Sequence, residues 1–258
     1  MANPVSITSD RHVGIIELAR PEKFNCLSSQ AWAAIDEARG QFEANSEIRA
    51  VLVCAQGANF CTGADLDEVK AVCKDEAALK AFIERGHAAL QAIERSPLPF
   101  VAAVQGLCLA GGLELMLGMD VVIAAESARM GDQHAQYGLV PGWGSSQRLP
   151  RIIGTRRALD LLFSARWLTA EDAKSIGLVN AIAADDRVRE EALAYAMKLG
   201  ERSRVGLAEM KRLVREGMAL SPADAIRFEA GVATGHLTGP DAREGLAAFG
   251  ERRKPKFD

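Results

Sequence analysis

Residues 100–125 read "FVAAVQGLCLAGGLELMLGMDVVIAA", and the whole fold turns on how this stretch is taken. By length and apolar content it is able to span a bilayer. Gln105, Glu114 and Asp120 interrupt it, as do glycines 106, 111, 112 and 118. Two carboxylates inside a membrane helix carry a steep cost, so the stretch reads as buried core with a turn. "FVAAV" (100–104) is then a strand that turns at Gly106 and enters a helix near Gly111 and Gly112, and "DVVIAA" (120–125) is the next strand.

The same pattern continues outward. "VGIIEL" (13–18), "AVLVCA" (50–55) and "LVNAI" (178–182) are short runs rich in Val, Ile and Leu and bounded by turn residues, the signature of buried strands. "SSQAWAAIDEARGQFEAN" (28–45) opens on serines and keeps a 3.6-residue period, as an amphipathic helix does. "DEAALKAFIERGHAALQAIER" (75–95) reads alike and is closed by Pro97, while Thr169 and Asp172 form a capping-box pattern. Strand signals vanish near residue 186, leaving three helical segments. Strands alternating with helices, then helices alone, predict an α/β core with a helical tail.

The chain has 258 residues, ample for a core without disulfides or metals. A net charge of -3 gives no sign of nucleic-acid or anionic-membrane partners. The five cysteines, at 26, 54, 61, 73 and 108, form no CxxC pair and have no histidine at ligand spacing, so no metal site is expected. Scattered thiols suit a reducing compartment, and "MANPVSITSD" lacks the basic and apolar regions of a signal peptide. A cytoplasmic location is expected.

Two segments share one design: a strand that runs into a glycine-containing loop and then a helix. They are "AVLVCAQGANFCTGADLDEV" (50–69) and "FVAAVQGLCLAGGLELMLG" (100–118). Such loops expose backbone N–H groups, and two of them converging on one point make an oxyanion hole. For either loop alone, a plain tight turn is the simpler reading. Glu114 adds weight, because a carboxylate in so apolar a helix is rare unless paired or functional. Two readings of it stand: a proton carrier with a burial-raised pKa, or a structural glutamate bonded to backbone amides at the helix start.

"NFCTGADLDEV" and "AAVQGLCLAGGLELMLGMDVVIAAESARMG" resemble the two signature segments of the enoyl-CoA hydratase/isomerase (crotonase) family. The likeness runs on through "GLVPGWGSSQRLPRIIGTRRALDLLFSARWLTAEDAKSIGLVN", and also covers "RPEKFNCLS" and "REGLAAFGERRKPKF". The resemblance implies an α/β crotonase-like spiral of ββα units over residues 1–195, holding the acyl-CoA site. It also implies a helical C-terminal region, 196–258, used to form a homotrimer or a dimer of trimers.

The resemblance further implies a substrate and roles for particular residues. The N–H groups of Ala64 and Gly111 fall at the oxyanion hole for an acyl-CoA thioester carbonyl. Coenzyme A, present as part of the substrate with no separate cofactor required, is expected against Cys26, Thr62, Ala64, Asp65, Leu66 and Gly111, with Lys23 as a candidate phosphate partner. Hydration of a 2-enoyl-CoA to a 3-hydroxyacyl-CoA, as in fatty acid metabolism, is the leading expectation. Crotonase-type isomerase, decarboxylase, lyase or thioester hydrolase chemistry is the alternative, with a non-catalytic CoA-binding member as a third.

Family hydratases use two glutamates. The first matches Glu114. Four residues before the glycine of "GLVPG", where the second belongs, stands His134 of "GDQHAQYGLVPGWG". An imidazole exchanges protons near neutral pH, so His134 is read as the partner of Glu114, ahead of a loop-capping role. Trp143 is bulky for its place in that segment, either a wall of the acyl pocket or a packing residue. Tyr137 is expected mainly to pack in the core.

Overall fold

The computed structural model describes residues 3–257. Two sheets organise the chain. The larger has, in spatial order, β1 (Val5–Asp10), β2 (Val13–Leu18), β3 (Ala50–Ala55), β4 (Phe100–Val104), β6 (Val121–Ala125) and β9 (Ala181–Ala183). The smaller is built from β5 (Leu107–Leu109), β7 (Arg129–Gly131) and β8 (Leu168–Thr169). β1 and β2 form an antiparallel pair, and every later neighbour in the large sheet is parallel.

Parallel neighbours need crossovers, and helices supply them. α1 (Ser29–Ala44) joins β2 to β3, and α2 (Leu66–Val72) and α3 (Glu76–Arg95) join β3 to β4. The link from β4 to β6 contains β5 and α4 (Gly111–Leu117). Beyond β7 come α5 (Ser145–Ile153) and α6 (Thr155–Ser164), and α7 (Ala170–Ser175) follows β8. Successive passes therefore place a long strand in the large sheet and a short segment in the small one before entering a helix. Cys61 joins the small sheet by a single parallel bridge to Cys108, beside β5. The chain thus winds as a spiral of strand–strand–helix turns.

All positions of β2, β3 and β4 are buried. Strands covered on both faces read as continuous apolar runs without alternation, which is why these three were plain in the sequence. Helix α8 (Val188–Gly200) packs against β2, β3, β4 and β6, and α1 and α3 pack on each other. The capping box of α7 is present in full, with Thr169 Oγ1 accepting from the Asp172 N–H at 3.0 Å.

Several expectations need correction. The strand predicted over 178–182 is β9 at 181–183, with Leu178 and Val179 buried in the turn ahead of it. Among the described residues the tail holds four helices rather than three: α8, α9 (Arg204–Gly217), α10 (Pro222–Leu237) and α11 (Pro240–Gly250). β1, β5, β7 and β8 were not foreseen. β1 is a polar edge strand, "VSITSD", and the others are two or three residues long, too short for alternation to register. As for the stretch 100–125, no helix among the described residues is long and apolar enough to cross a membrane.

Candidate active site

The two glycine loops meet. Cys61 donates its N–H to the Leu107 carbonyl at 3.1 Å, and Leu109 donates back to the Cys61 carbonyl at 3.0 Å. These bonds lay residues 61–64 alongside β5 and the start of α4. A Cβ built on Gly112 would stand 2.1 Å from the Cys61 carbonyl oxygen, so only glycine allows this approach. Ala110 precedes α4 with φ 50° and ψ −117°, a region few non-glycine residues enter. That turn starts the helix at Gly111. Among the described residues, neither the Ala64 N–H nor the Gly111 N–H donates a hydrogen bond. The neighbouring amides do: Asp65 donates to Leu27 at 2.9 Å, and Ala110 donates to Gly131 at 2.9 Å. Two free donors thus remain on adjoining loops, Gly111 sitting at a helix N-terminus where the dipole favours negative charge.

Glu114 lies on the first turn of α4 and is 1% exposed. Its Oε1 accepts from the Trp143 N–H at 2.7 Å and the Ser145 N–H at 3.0 Å. The glutamate is bonded to backbone amides, as the structural reading held, but they belong to the N-terminus of α5 rather than to its own helix. Oε2 accepts no bond among the described residues. Burial pushes the carboxyl pKa up, against the two amide bonds and the charge of His134, which lower it. The amide-bearing turn is itself held. Arg148 donates from Nη1 to the Trp143 carbonyl at 2.7 Å and makes a forked pair with Glu94, at 2.8 Å on both arms.

His134 follows β7 and opens a short 3-10 turn over Ala135–Tyr137. Its Nδ1 lies 2.7 Å from Oδ1 of Asp132, a residue the sequence reading passed over. Asp132 is fully buried, and the same oxygen accepts the His134 backbone N–H at 3.2 Å. Burial disfavours the imidazolium. The bond and charge of Asp132, with the charge of Glu114, outweigh it and raise the pKa of His134. The His134 charge works to lower the Glu114 pKa, and the Glu114 charge works to raise that of His134.

The segment expected to meet coenzyme A lies along the edge of this site. Leu27 and Ala64 form a parallel bridge that sets Cys26 beside Thr62–Leu66. The N–H groups of Cys26, Thr62 and Asp65 are spent on Lys23, Phe24 and Leu27, whereas the carbonyls of Cys26, Thr62 and Ala64 accept no bond among the described residues. Burial raises the Cys26 thiol to about 11, leaving it neutral. The Asp65 carboxylate binds Arg20 at 2.9 Å and caps α2, so its side chain serves the fold. Leu66 is exposed, and Lys23 pairs with Asp67 at 2.8 Å.

Trp143 is buried against Trp32, with ring centroids 5.0 Å apart, and against Phe82 at 5.4 Å. A Cβ on Gly111 would meet its ring at 2.5 Å, so the indole both packs and backs the Gly111 turn. Tyr137 is 71% exposed, contrary to the packing role expected for it. It sits on the 3-10 turn Ala135–Tyr137, none of whose residues is buried.

The wound strand–strand–helix core followed by helices is the crotonase fold. The enoyl-CoA hydratase of Polaromonas sp. JS666 shares it with a TM-score of 0.95 and 31% identity, over 98% of this chain and 99% of the other. The chain belongs to the enoyl-CoA hydratase/isomerase family, whose model matches residues 8–258. A Bacillus subtilis (strain 168) protein described as a probable enoyl-CoA hydratase is 34% identical over 256 residues, covering 99% of this chain and 98% of its own. The short-chain-enoyl-CoA hydratase of Clostridium acetobutylicum is 30% identical over 98% of this chain and 96% of its own length.

Proposed function

We propose that this protein adds water across the double bond of a 2-enoyl-CoA to give a 3-hydroxyacyl-CoA. One observation carries the reading: the N–H groups of Ala64 and Gly111 stay unbonded on adjoining loops, one turn of helix from the buried Glu114. A thioester carbonyl oxygen held by both donors is polarised, and the enolate formed when water attacks C3 keeps its charge there. Glu114 and His134 divide the proton traffic. One takes a proton from the attacking water and the other supplies one to C2, so that H and OH are both accounted for. Burial raises the Glu114 pKa above the ordinary carboxylate value, which favours its giving a proton as well as taking one.

The free carbonyls of Cys26, Thr62 and Ala64, with the exposed Leu66, support contact with the coenzyme A moiety along this edge. Lys23 reaches a phosphate only by leaving Asp67. The site lies within residues 1–195. Large apolar side chains exposed on the tail, among them Met210, Val214, Ile226, Leu246 and Phe249, support a homotrimer or a dimer of trimers. Five free thiols fit a cytoplasmic location.

Glu114→Gln keeps the shape and removes the proton carrier. Crotonyl-CoA hydration, followed by loss of enoyl absorbance, falls by about 100-fold or more. Unchanged turnover removes Glu114 from the chemistry. Tight binding of acyl-CoA thioesters without hydration at any chain length moves the site to isomerisation or another enolate reaction.

A further inference from the structure

A fully buried aspartate beside the proposed proton carrier has no role yet. Asp132 spends one oxygen, Oδ1, on His134, through the ring Nδ1 at 2.7 Å and the backbone N–H at 3.2 Å. Its other oxygen, Oδ2, is buried and has no partner among the described residues. A turn that needed only the backbone bond is served as well by asparagine, without a buried charge. An ionised carboxylate with an idle oxygen in the interior is costly unless a cation lies beside it. The cation within reach is the imidazolium of His134.

From this juxtaposition we infer that Asp132 is a positioning residue for His134. It holds the proton on Nδ1, leaves Nε2 as the exchanging nitrogen, and compensates the positive charge when Nε2 is protonated. The orientation is fixed from both ends. β7 lies parallel to β5, and its last residue, Gly131, accepts the Ala110 N–H at 2.9 Å, one residue before the free Gly111 donor. Ring and amide are thus registered through one short sheet. The neighbouring Gln133 side chain turns away to the Ala165 carbonyl at 2.6 Å. The charged groups acting on the imidazole are Asp132 from its own segment and Glu114 from α4. Nε2 itself is bonded by no described residue. In hydration the step is balanced: Nε2 takes or returns one proton, and Nδ1 keeps its own in the bond to Asp132.

The inference rests on the hydratase reading for its consequence but not for its test. In the wild-type protein, nitrogen NMR of the His134 ring above its pKa shows a protonated Nδ1 and a bare Nε2. The opposite tautomer overturns the proposal, and this measurement needs no variant to fold. In Asp132→Asn the shape is kept and the charge lost. The His134 pKa drops by about 1 pH unit or more, and the limb of the kcat profile that it governs moves to lower pH. The value of kcat falls about 100-fold while KM changes little. Within a His134→Ala background the same substitution has no further effect on kcat. An unmoved ring titration, or additive losses in the double variant, shows a merely structural aspartate. A wild-type protein with the expected spectra but no hydration overturns the hydratase reading and supports the pair.

Discussion

At Gly112 a methyl group has nowhere to go, because the atom it meets is the backbone carbonyl of Cys61 and not the end of a flexible side chain. Gly112→Ala must push the two loops apart. It costs about 1–3 kcal/mol, read as a lower midpoint in thermal unfolding, and it drags the Ala64 amide away from Gly111, so turnover falls with it. A variant with wild-type melting and activity shows the approach to be looser than the geometry requires. At this scale the sequence told much of the site. Glu114 was visible as a carboxylate in an apolar helix, and His134 as the lone imidazole of its segment. Asp132 was not, because an aspartate two residues from a histidine is ordinary until both are known to be buried. Asp132, two residues before His134, is a buried carboxylate that lies 2.7 Å from the ring Nδ1.

Among the elements, legibility followed length and burial. β2 and β3 stood out as unbroken apolar runs, and α1 and α3 because each repeats its helical period several times. α4 hid in plain view: all seven of its residues are buried, so no polar face marks it as a helix. Its glycines and Glu114, with Gln105 and Asp120 on either side, separated the stretch from a membrane span. β5, β7 and β8 exist because neighbouring passes of the spiral bring their backbones together, which no local pattern announces. α7 is the opposite case, written in its own cap. Thr169→Ala removes both the Asp172 N–H bond at 3.0 Å and the hydroxyl contact to the Asp172 carboxylate at 2.8 Å. The loss is about 1 kcal/mol, a fall of about 2–4 °C in the melting midpoint, with kcat unchanged. A larger fall signals that β8, which ends on Thr169, comes loose as well.

Across the whole molecule, one ion network spans core and tail. Lys211 and Arg215 of α9 reach Asp120 at 2.7 and 3.0 Å, Arg215 reaches Glu94 at 3.4 Å, and Glu94 grips Arg148. Burial works to raise the Glu94 pKa. The bonds and charge of Arg148, with Arg215 and Lys211, outweigh it and hold the pKa below the usual carboxylate value. The stability this supplies is present above the ordinary glutamate pKa and is lost as pH falls through the depressed one. Glu94→Gln is therefore less stable than wild type at neutral pH, and the gap narrows as the solution is acidified. A gap that is constant with pH in denaturant titrations excludes the charge as the cause.

The network ends on the carbonyl of Trp143, whose own N–H grips Glu114. Trp143 thus joins that network to the two amides whose bonds lower the Glu114 pKa. A substitution on α9, a helix with none of the proposed catalytic groups, is expected to loosen the turn that carries these amides and to shift the Glu114 titration. An unmoved titration in Arg215→Ala shows that the tail braces the fold and leaves proton affinity alone.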